Sequence, residues 1–274
     1  MSKKEQEALA KREAGALATV DFGVDESYAP DIQADERRVP YLILLQDNTP
    51  MVKDPEQKIP GAEPGMLFNS TSKELYSSDG GVVFVPCLKE RFFIERTADD
   101  DARFVARLEC NDPVVIEAVK GGRNDKNDYV NPNNGNTLTD TRYLFGFILN
   151  EENVADSDPV IIPFKKSKIT AITDMTDAID KFKPSRGKGW PFFAYRFRVS
   201  TYYCPDNKGY YRLKIEPANG TLAASLNLPG ESDAVLAFGK ALVDSIKSGE
   251  KVADYDDQAA VPSGSGSVDA DAPF

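Results

Sequence analysis

Residues 192–216 read FFAYRFRVSTYYCPDNKGYYRLKIE, and this stretch decides the fold class. Apolar and aromatic residues alternate with basic ones on both sides of a turn signal at residues 206–209. A two-residue period interrupted by Asp, Asn and Gly predicts a β-hairpin. Successive strand side chains point to opposite faces, so one face of the hairpin belongs to a core. We expect the other face to present Arg196, Arg198, Tyr202, Tyr210, Arg212 and Lys214.

The sequence around the hairpin is basic, although the chain as a whole has a formal net charge of −11. Residues 165–214 hold twelve Lys and Arg against four Asp, and they include ten of the aromatic residues. Cations that follow phosphates and rings that stack on unpaired bases are the two elements of a single-strand binder. The predicted DNA-binding residues are Lys165, Lys166, Lys168, Lys183, Arg186, Lys188, Trp190, Phe192, Arg196, Arg198, Tyr202, Lys208, Tyr210, Arg212 and Lys214. The alternative is an ordinary amphipathic hairpin whose bases are simply solvated.

A glycine-rich basic loop at residues 183–190 precedes the hairpin and carries the single Trp of the chain. Glycine permits a close approach of the backbone to a ligand, but the loop lacks the spacing of a phosphate-binding P-loop. Two interpretations stay open. Trp190 is either a stacking platform in a DNA clamp or a buried side chain that pins the loop.

The rest of the chain predicts a mainly β domain, because short apolar runs alternate with turn-forming residues. The predicted strands are Tyr41–Leu45, Val82–Leu88, Arg91–Glu95, Arg103–Glu109, Thr141–Leu149, Val160–Phe164, Phe192–Tyr203 and Tyr210–Glu216. Apolar residues at helical spacing predict one helix over 169–182 and another that begins after Ser232 and ends at Gly249. The Asn-rich stretch 121–141 is too polar for a core and is predicted to be an exposed loop.

Three regions follow from composition. Residues 1–38 form a charged N-terminal arm, residues 39–249 form the globular domain, and residues 250–274 form a flexible acidic tail. The tail contains the linker-like run 262–267 and six acids against one base. Such a composition buries too little apolar surface to offset the entropy of ordering it.

The end of this tail, from Asp269 to Phe274, reads Asp-Ala-Asp-Ala-Pro-Phe. It resembles the acidic C-terminus of single-stranded DNA-binding proteins of bacteria and their phages. The resemblance implies that Asp269, Asp271, Pro273 and Phe274 dock on replication and recombination proteins, and that the aspartates compete with DNA for the basic face. It also favours an OB-fold-like barrel with insertions, although periodicity alone does not separate a barrel from a sandwich.

Several function classes are disfavoured. The chain has no His, which removes the commonest general base, and its three Cys are isolated, so we expect no metal, no cofactor and no enzymatic activity. A metal-dependent nuclease is the weakest candidate, because no paired carboxylates lie near the basic face. No apolar run approaches the ~20 residues that cross a bilayer, and the N-terminal residues do not resemble a signal peptide. We expect a cytoplasmic protein, in the bacterial host if a phage encodes it.

The sequence therefore predicts a sequence-tolerant single-stranded DNA-binding protein that coats DNA during replication, recombination and repair and recruits partners through its tail. The alternative is a phage structural or assembly protein whose basic hairpin contacts another protein. Self-association into a homo-oligomer is left open.

Overall fold

The computed structural model describes residues 38–99, 101–182, 189–205 and 209–249. Within these ranges the strands are β1 (Leu42–Leu44), β2 (Leu67–Asn69), β3 (Leu75–Tyr76), β4 (Val82–Arg96), β5 (Phe104–Glu109), β6 (Tyr129–Val130), β7 (Thr137–Ile148), β8 (Asp158–Lys165), β9 (Phe197–Cys204) and β10 (Tyr210–Pro217). The helices are α1 (Pro50–Lys53), α2 (Pro113–Gly121), α3 (Ile169–Lys181) and α4 (Asp233–Lys247). The prediction of a mainly β fold is confirmed. The arm up to residue 37 and the tail from residue 250 lie outside the described residues.

Strand β4 organises the main sheet. It is 15 residues long and pairs antiparallel with β7 over nearly its whole length. The sequence predicts two strands here, 82–88 and 91–95, because Lys89 and Glu90 interrupt the apolar pattern. In the structure both residues continue the ladder, opposite Leu144 and Tyr143. Pairing with β7 satisfies their backbone groups, so the two predicted strands are one.

A β-bulge in β4 changes which side chains face the core. The register with β7 shifts between Pro86 and Leu88, which leaves Cys87 as an extra residue. Phe84, before the bulge, faces the same side as Lys89 and Arg91 after it. Lys89 and Arg91 therefore share a side with the main apolar core.

The main sheet contains a Greek key. β4 pairs with β7, β7 pairs with β8, and β9 returns to pair with the first residues of β4. The spatial order β9-β4-β7-β8 is that of a Greek key, and β10 extends it as the partner of β9. β5 and β6 lie in the long connection between β4 and β7 and pair with those two strands.

A second, three-stranded sheet (β1-β2-β3) lies between the edges formed by β8 and β10. The backbone N–H of Ile161 donates to the carbonyl of Pro40 at 2.8 Å. On the other side, Gln46 Nε2 donates to the Tyr211 carbonyl at 2.7 Å, and the Tyr211 N–H donates to Gln46 Oε1 at 2.9 Å. The strand ladders of the described residues do not close a barrel.

The central core is the largest apolar cluster and draws on both sheets. It includes Leu42, Phe84, Leu144, Ile162, Phe197, Val199 and Leu213 from the strands. Helix α3 begins and ends close to its predicted bounds and packs Ile172 and Met175 into this core. Helix α4 packs Val235 and Leu242 against Val85 and Phe147, on the opposite side of β4 and β7.

The Asn-rich segment is tied down more firmly than its composition predicts. Glu95 of β4 is 5% exposed. Its Oε1 accepts from the Nδ2 groups of Asn131, Asn134 and Asn136 at 2.9, 2.8 and 2.8 Å. Burial raises the pKa of Glu95, but the three donors together lower it by more. The net shift of the pKa is therefore downward. A buried carboxylate requires such donors, so the asparagines serve the fold.

Candidate nucleic-acid interface

The hairpin β9–β10 has the pairing that the alternation predicts. The two strands pair from Phe197↔Pro217 to Cys204↔Tyr210. One side contributes Val199 and Leu213 to the central core. The register places the following residues on the opposite side: Arg198, Ser200, Tyr202, Cys204, Tyr210, Arg212, Lys214 and Glu216.

Basic and aromatic groups are interleaved near the end of the hairpin. Tyr202 and Tyr203 are 43% and 53% exposed. The Arg212 guanidinium lies 4.9 Å from the centroid of the Tyr210 ring, and Arg212 Nε donates to the Tyr210 hydroxyl at 2.6 Å. The rings of Tyr203 and Tyr211 lie 5.3 Å apart on the other side of the ribbon. The hairpin thus presents exposed ring surface beside positive charge, the combination that single strands require.

Two glycines allow close packing at the hairpin. Gly209 has φ of +64°, and an added Cβ would meet the Tyr203 hydroxyl. Gly65 has φ of +88°, and an added Cβ would meet the Tyr211 ring. Positive φ and these close contacts both favour glycine. Because position 65 has no side chain, the loop before β2 packs directly on the Tyr211 ring of the hairpin. Thr201 Oγ1 strengthens this contact by donating to the Gly65 carbonyl at 2.5 Å.

The basic residues of the hairpin differ in the ion pairs and hydrogen bonds that hold their side chains. Lys214 Nζ lies 2.9 Å from Glu216 Oε1, and both side chains are half exposed. Arg198 is exposed and donates to the Gly80 carbonyl at 2.9 Å. Arg196 differs, because its guanidinium donates to Asn227 Oδ1 and to Ser232 Oγ, the latter at 2.8 Å. Arg196 therefore holds the segment before α4, and the structure does not group it with the exposed hairpin bases.

Ser232 is the residue before α4, a position where a serine side chain commonly caps the helix. Its side chain makes no hydrogen bond to the helix backbone, and its hydroxyl accepts from Arg196 instead.

The aromatic residues before β9 pack inward. Trp190 is partly buried against the central core, and its ring lies 6.4 Å from that of Tyr195. Phe192 opens a 3-10 turn that ends at Ala194 and is also partly buried. Strand β9 begins at Phe197, whereas the sequence predicts a strand from Phe192. Lys183, Arg186, Lys188 and Lys208 lie outside the described residues, as do Asp269, Asp271, Pro273 and Phe274 of the tail.

Lys165, Lys166 and Lys168 form a separate basic group at the end of β8. Because β7 and β4 lie between β8 and β9 in the main sheet, this group is not part of the hairpin face. Lys166 Nζ lies 3.2 Å from Asp128 Oδ2. Burial lowers the pKa of Lys165 to about 7, and the positive charges of Arg96, Lys168 and Lys166 act in the same direction.

Three arginines that the sequence patterns do not reveal surround one buried carboxylate. Arg91 of β4 donates through Nε and Nη2 to the two oxygens of Asp140 at 3.0 and 2.9 Å. Arg142 Nη2 and Arg123 Nη2 lie 3.8 and 4.0 Å from Asp140 Oδ2. These residues come from two strands and from the connection between them, so no local pattern joins them.

Fold and hairpin together define a mainly β protein with a Greek-key sheet and a basic, aromatic hairpin. The chain belongs to the Pam3 phage gp34-like protein family, whose model matches residues 12–252. The description of this family is that of phage proteins. Comparison with curated proteins and with solved structures gave no match.

Within the part of the chain that the structure describes, none of the helices has the length and apolar character needed to cross a membrane. The same residues contain no cluster of Cys, Asp and Glu that could hold a metal ion.

The position of Lys165 predicts a pH dependence of stability. Its folded pKa of about 7 lies below the ordinary value of 10.5, so the unfolded chain binds more protons between these values. The free energy of unfolding should therefore rise with pH across this window, by up to ~1.4 kcal/mol per pH unit from this group. Urea unfolding between pH 7 and 8.5 should show a smaller rise for Lys165→Met than for the wild type.

The exposed Lys240 of α4 provides the matched control. Lys240→Met should keep the wild-type pH dependence. Equal slopes for wild type and Lys165→Met would contradict the assignment of a buried, destabilising charge to Lys165.

Proposed function

We propose that this chain is a sequence-tolerant single-stranded DNA-binding protein that coats DNA during replication and recombination. The observation that supports this function best is the hairpin β9–β10. Its outer side carries Arg198, Arg212 and Lys214, with exposed Tyr202 between them in the ribbon. Cations that can contact phosphates and ring faces that can stack on bases lie on one surface. Both kinds of contact are largely independent of base identity, which suits a sequence-tolerant binder.

The strand arrangement supports an OB-fold-like barrel as the architecture of this binder. An OB-fold is a five-stranded, partly open Greek-key barrel. Strands β4, β7, β8, β9 and β10 supply five strands in Greek-key order, and α3 lies between β8 and β9. In this proposal, β1 and the Gln46 side chain fill the opening between β8 and β10.

Burial favours the hairpin over the outer side of β7 and β8 as the DNA-binding surface. OB-folds use the face of their second and third strands and two loops. Here the outer side of those strands carries Tyr143, Phe145 and Ile161, which are buried against Val39 and Tyr41. These side chains are covered and do not reach a ligand. The connection between β9 and β10 corresponds to one of the two OB binding loops, and Tyr202 and Tyr203 on its β9 side are exposed.

We also propose that the tail recruits replication or recombination proteins, with Phe274 as the apolar contact and Asp269 and Asp271 as competitors of DNA. The support is the sequence alone: an aromatic residue at the end of an acidic, linker-like segment. An acidic segment that a short linker joins to a basic surface competes for that surface at a high effective concentration.

The hairpin proposal predicts a change in salt dependence. The variant Arg198→Gln, Arg212→Gln, Lys214→Gln should bind oligo(dT) more weakly. The slope of log K against log salt should become shallower by ~2, because each single-strand phosphate contact contributes ~0.7. Fluorescence anisotropy across a salt series measures both quantities.

A variant with the same loss of charge elsewhere is the control. Lys73, Lys240 and Lys247 are exposed and lie off the hairpin, so their triple change to Gln should leave the slope close to wild type. If the hairpin variant keeps the wild-type slope while remaining folded, the hairpin is not the DNA-binding surface. Wild-type protein that shows no preference for oligo(dT) over duplex would favour the alternative, a protein-binding hairpin in an assembly protein.

The tail proposal predicts that two activities separate. Phe274→Ala keeps the aspartates and removes the apolar contact, so oligo(dT) affinity should stay close to wild type while partner capture from host lysate is lost. Asp269→Asn with Asp271→Asn should tighten DNA binding modestly, and most at low salt where screening is weak. Capture of the same partners by Phe274→Ala and wild type would refute the docking role.

A further inference from the structure

The positive charge of the cluster around Asp140 exceeds the negative charge of its carboxylate. The two oxygens of Asp140, which is 5% exposed, are already bound by the fork of Arg91. Arg142 and Arg123 approach the same Oδ2 at 3.8 and 4.0 Å without a hydrogen bond to it. Three guanidinium groups around one carboxylate leave a local surplus of two positive charges.

Lys89 adds to this surplus. It lies on the same side of β4 as Arg91, opposite Leu144 in the ladder. Burial lowers the pKa of Lys89, and the charges of Arg142 and Arg91 lower it further, while Asp177 of α3 acts in the opposite direction. Burial is the largest of these causes, and the contributions of the two guanidinium groups reflect the positive charge of the cluster.

The guanidinium groups are oriented by contacts that leave donors free. Arg123 lies 4.9 Å from the centroid of the Tyr129 ring, and its Nη1 donates to Asn127 Oδ1 at 2.7 Å. Arg142 Nη1 donates to Thr173 Oγ1 at 2.9 Å, whereas its buried Nε has no hydrogen-bond partner among the described residues. The side chains of Arg91 and Arg123 are 44% and 34% exposed, so a ligand can reach them.

We propose that Arg91, Arg123 and Arg142 form a binding site for a phosphate group of the DNA backbone. Arginine forks match the oxygens of a phosphate and donate to them in pairs, which makes such groups the preferred ligand of an arginine cluster. Asp140 holds the first fork in place, and the surplus charge is directed at the ligand. Arg91 and Arg142 are directly opposite each other on β4 and β7, at the base of the long connection that contains Arg123.

This inference rests on the proposed function and adds a second contact to it. The hairpin lies on β9 and β10, whereas the arginine cluster lies on β4, β7 and their connection. In the OB-like interpretation, this connection corresponds to the other binding loop. A strand that reaches both would be held by stacking at the hairpin and by a phosphate contact at the cluster.

Arg123 is the best residue for the test, because it is the most distant of the three from Asp140. Arg123→Gln should make the salt slope of oligo(dT) binding shallower by ~0.7, the contribution of one phosphate contact. Arg123→Lys keeps the charge but loses the fork, so it should retain the slope and bind more weakly at fixed salt. Lys240→Gln, which removes an exposed positive charge from α4 on the other side of the sheet, should behave as wild type. Thermal unfolding checks that each variant folds.

The outcomes separate this site from the proposed function. If wild type binds oligo(dT) with a salt dependence and Arg123→Gln has the same slope, the cluster does not hold a backbone phosphate, while the DNA-binding function stands. If wild type does not bind oligo(dT), both are overturned. Inorganic phosphate as the titrant distinguishes the source: stabilisation of wild type but not of Arg123→Gln, without any DNA binding, would show a site for free anions and overturn the backbone assignment.

Discussion

The main sheet is built on the pairing of β4 with β7. Three strands pair with β4: β9 with its first residues, β5 with its last residues and β7 with nearly all of it. The bulge at Cys87 then determines which residues face inward. Without it, Arg91 would lie on the side of Val85, under α4, and could not face Arg142. One extra residue thus turns a charged strand segment into part of a basic cluster.

The sequence predicts what depends on local periodicity. The hairpin β9–β10, the helices α3 and α4 and the mainly β class all follow from spacings within single segments. The continuity of β4 does not, because only its partner strand shows that Lys89 and Glu90 belong to a ladder. The Asn-rich segment is similar, since its order depends on Glu95, a residue with no local sign of that role.

The residues of the candidate site show the same difference between what local sequence predicts and what depends on strand pairing. The outer face of the hairpin is predictable from alternation, apart from Arg196, whose partners Asn227 and Ser232 come from a later segment. Lys165, Lys166 and Lys168 belong to the same basic stretch of sequence as the hairpin, but they lie at the end of β8, which two other strands separate from it. The arginine cluster has no sequence signal, because its members meet only when β4, the bulge and β7 are in place. Charge density along a chain therefore shows that a basic surface exists, and strand pairing determines which bases share it.

In the proposed function, a single strand lies on the hairpin with its bases against the exposed tyrosines. Photocrosslinking of the full chain to an oligo(dT) that contains 5-iodouracil, followed by peptide mapping, shows which side chains the bases contact. We expect crosslinks at Tyr202 or Tyr203, since base stacking brings these rings against the iodinated base. Crosslinks confined to the α4 side of the sheet, or no crosslink at concentrations that saturate binding, would contradict the claim.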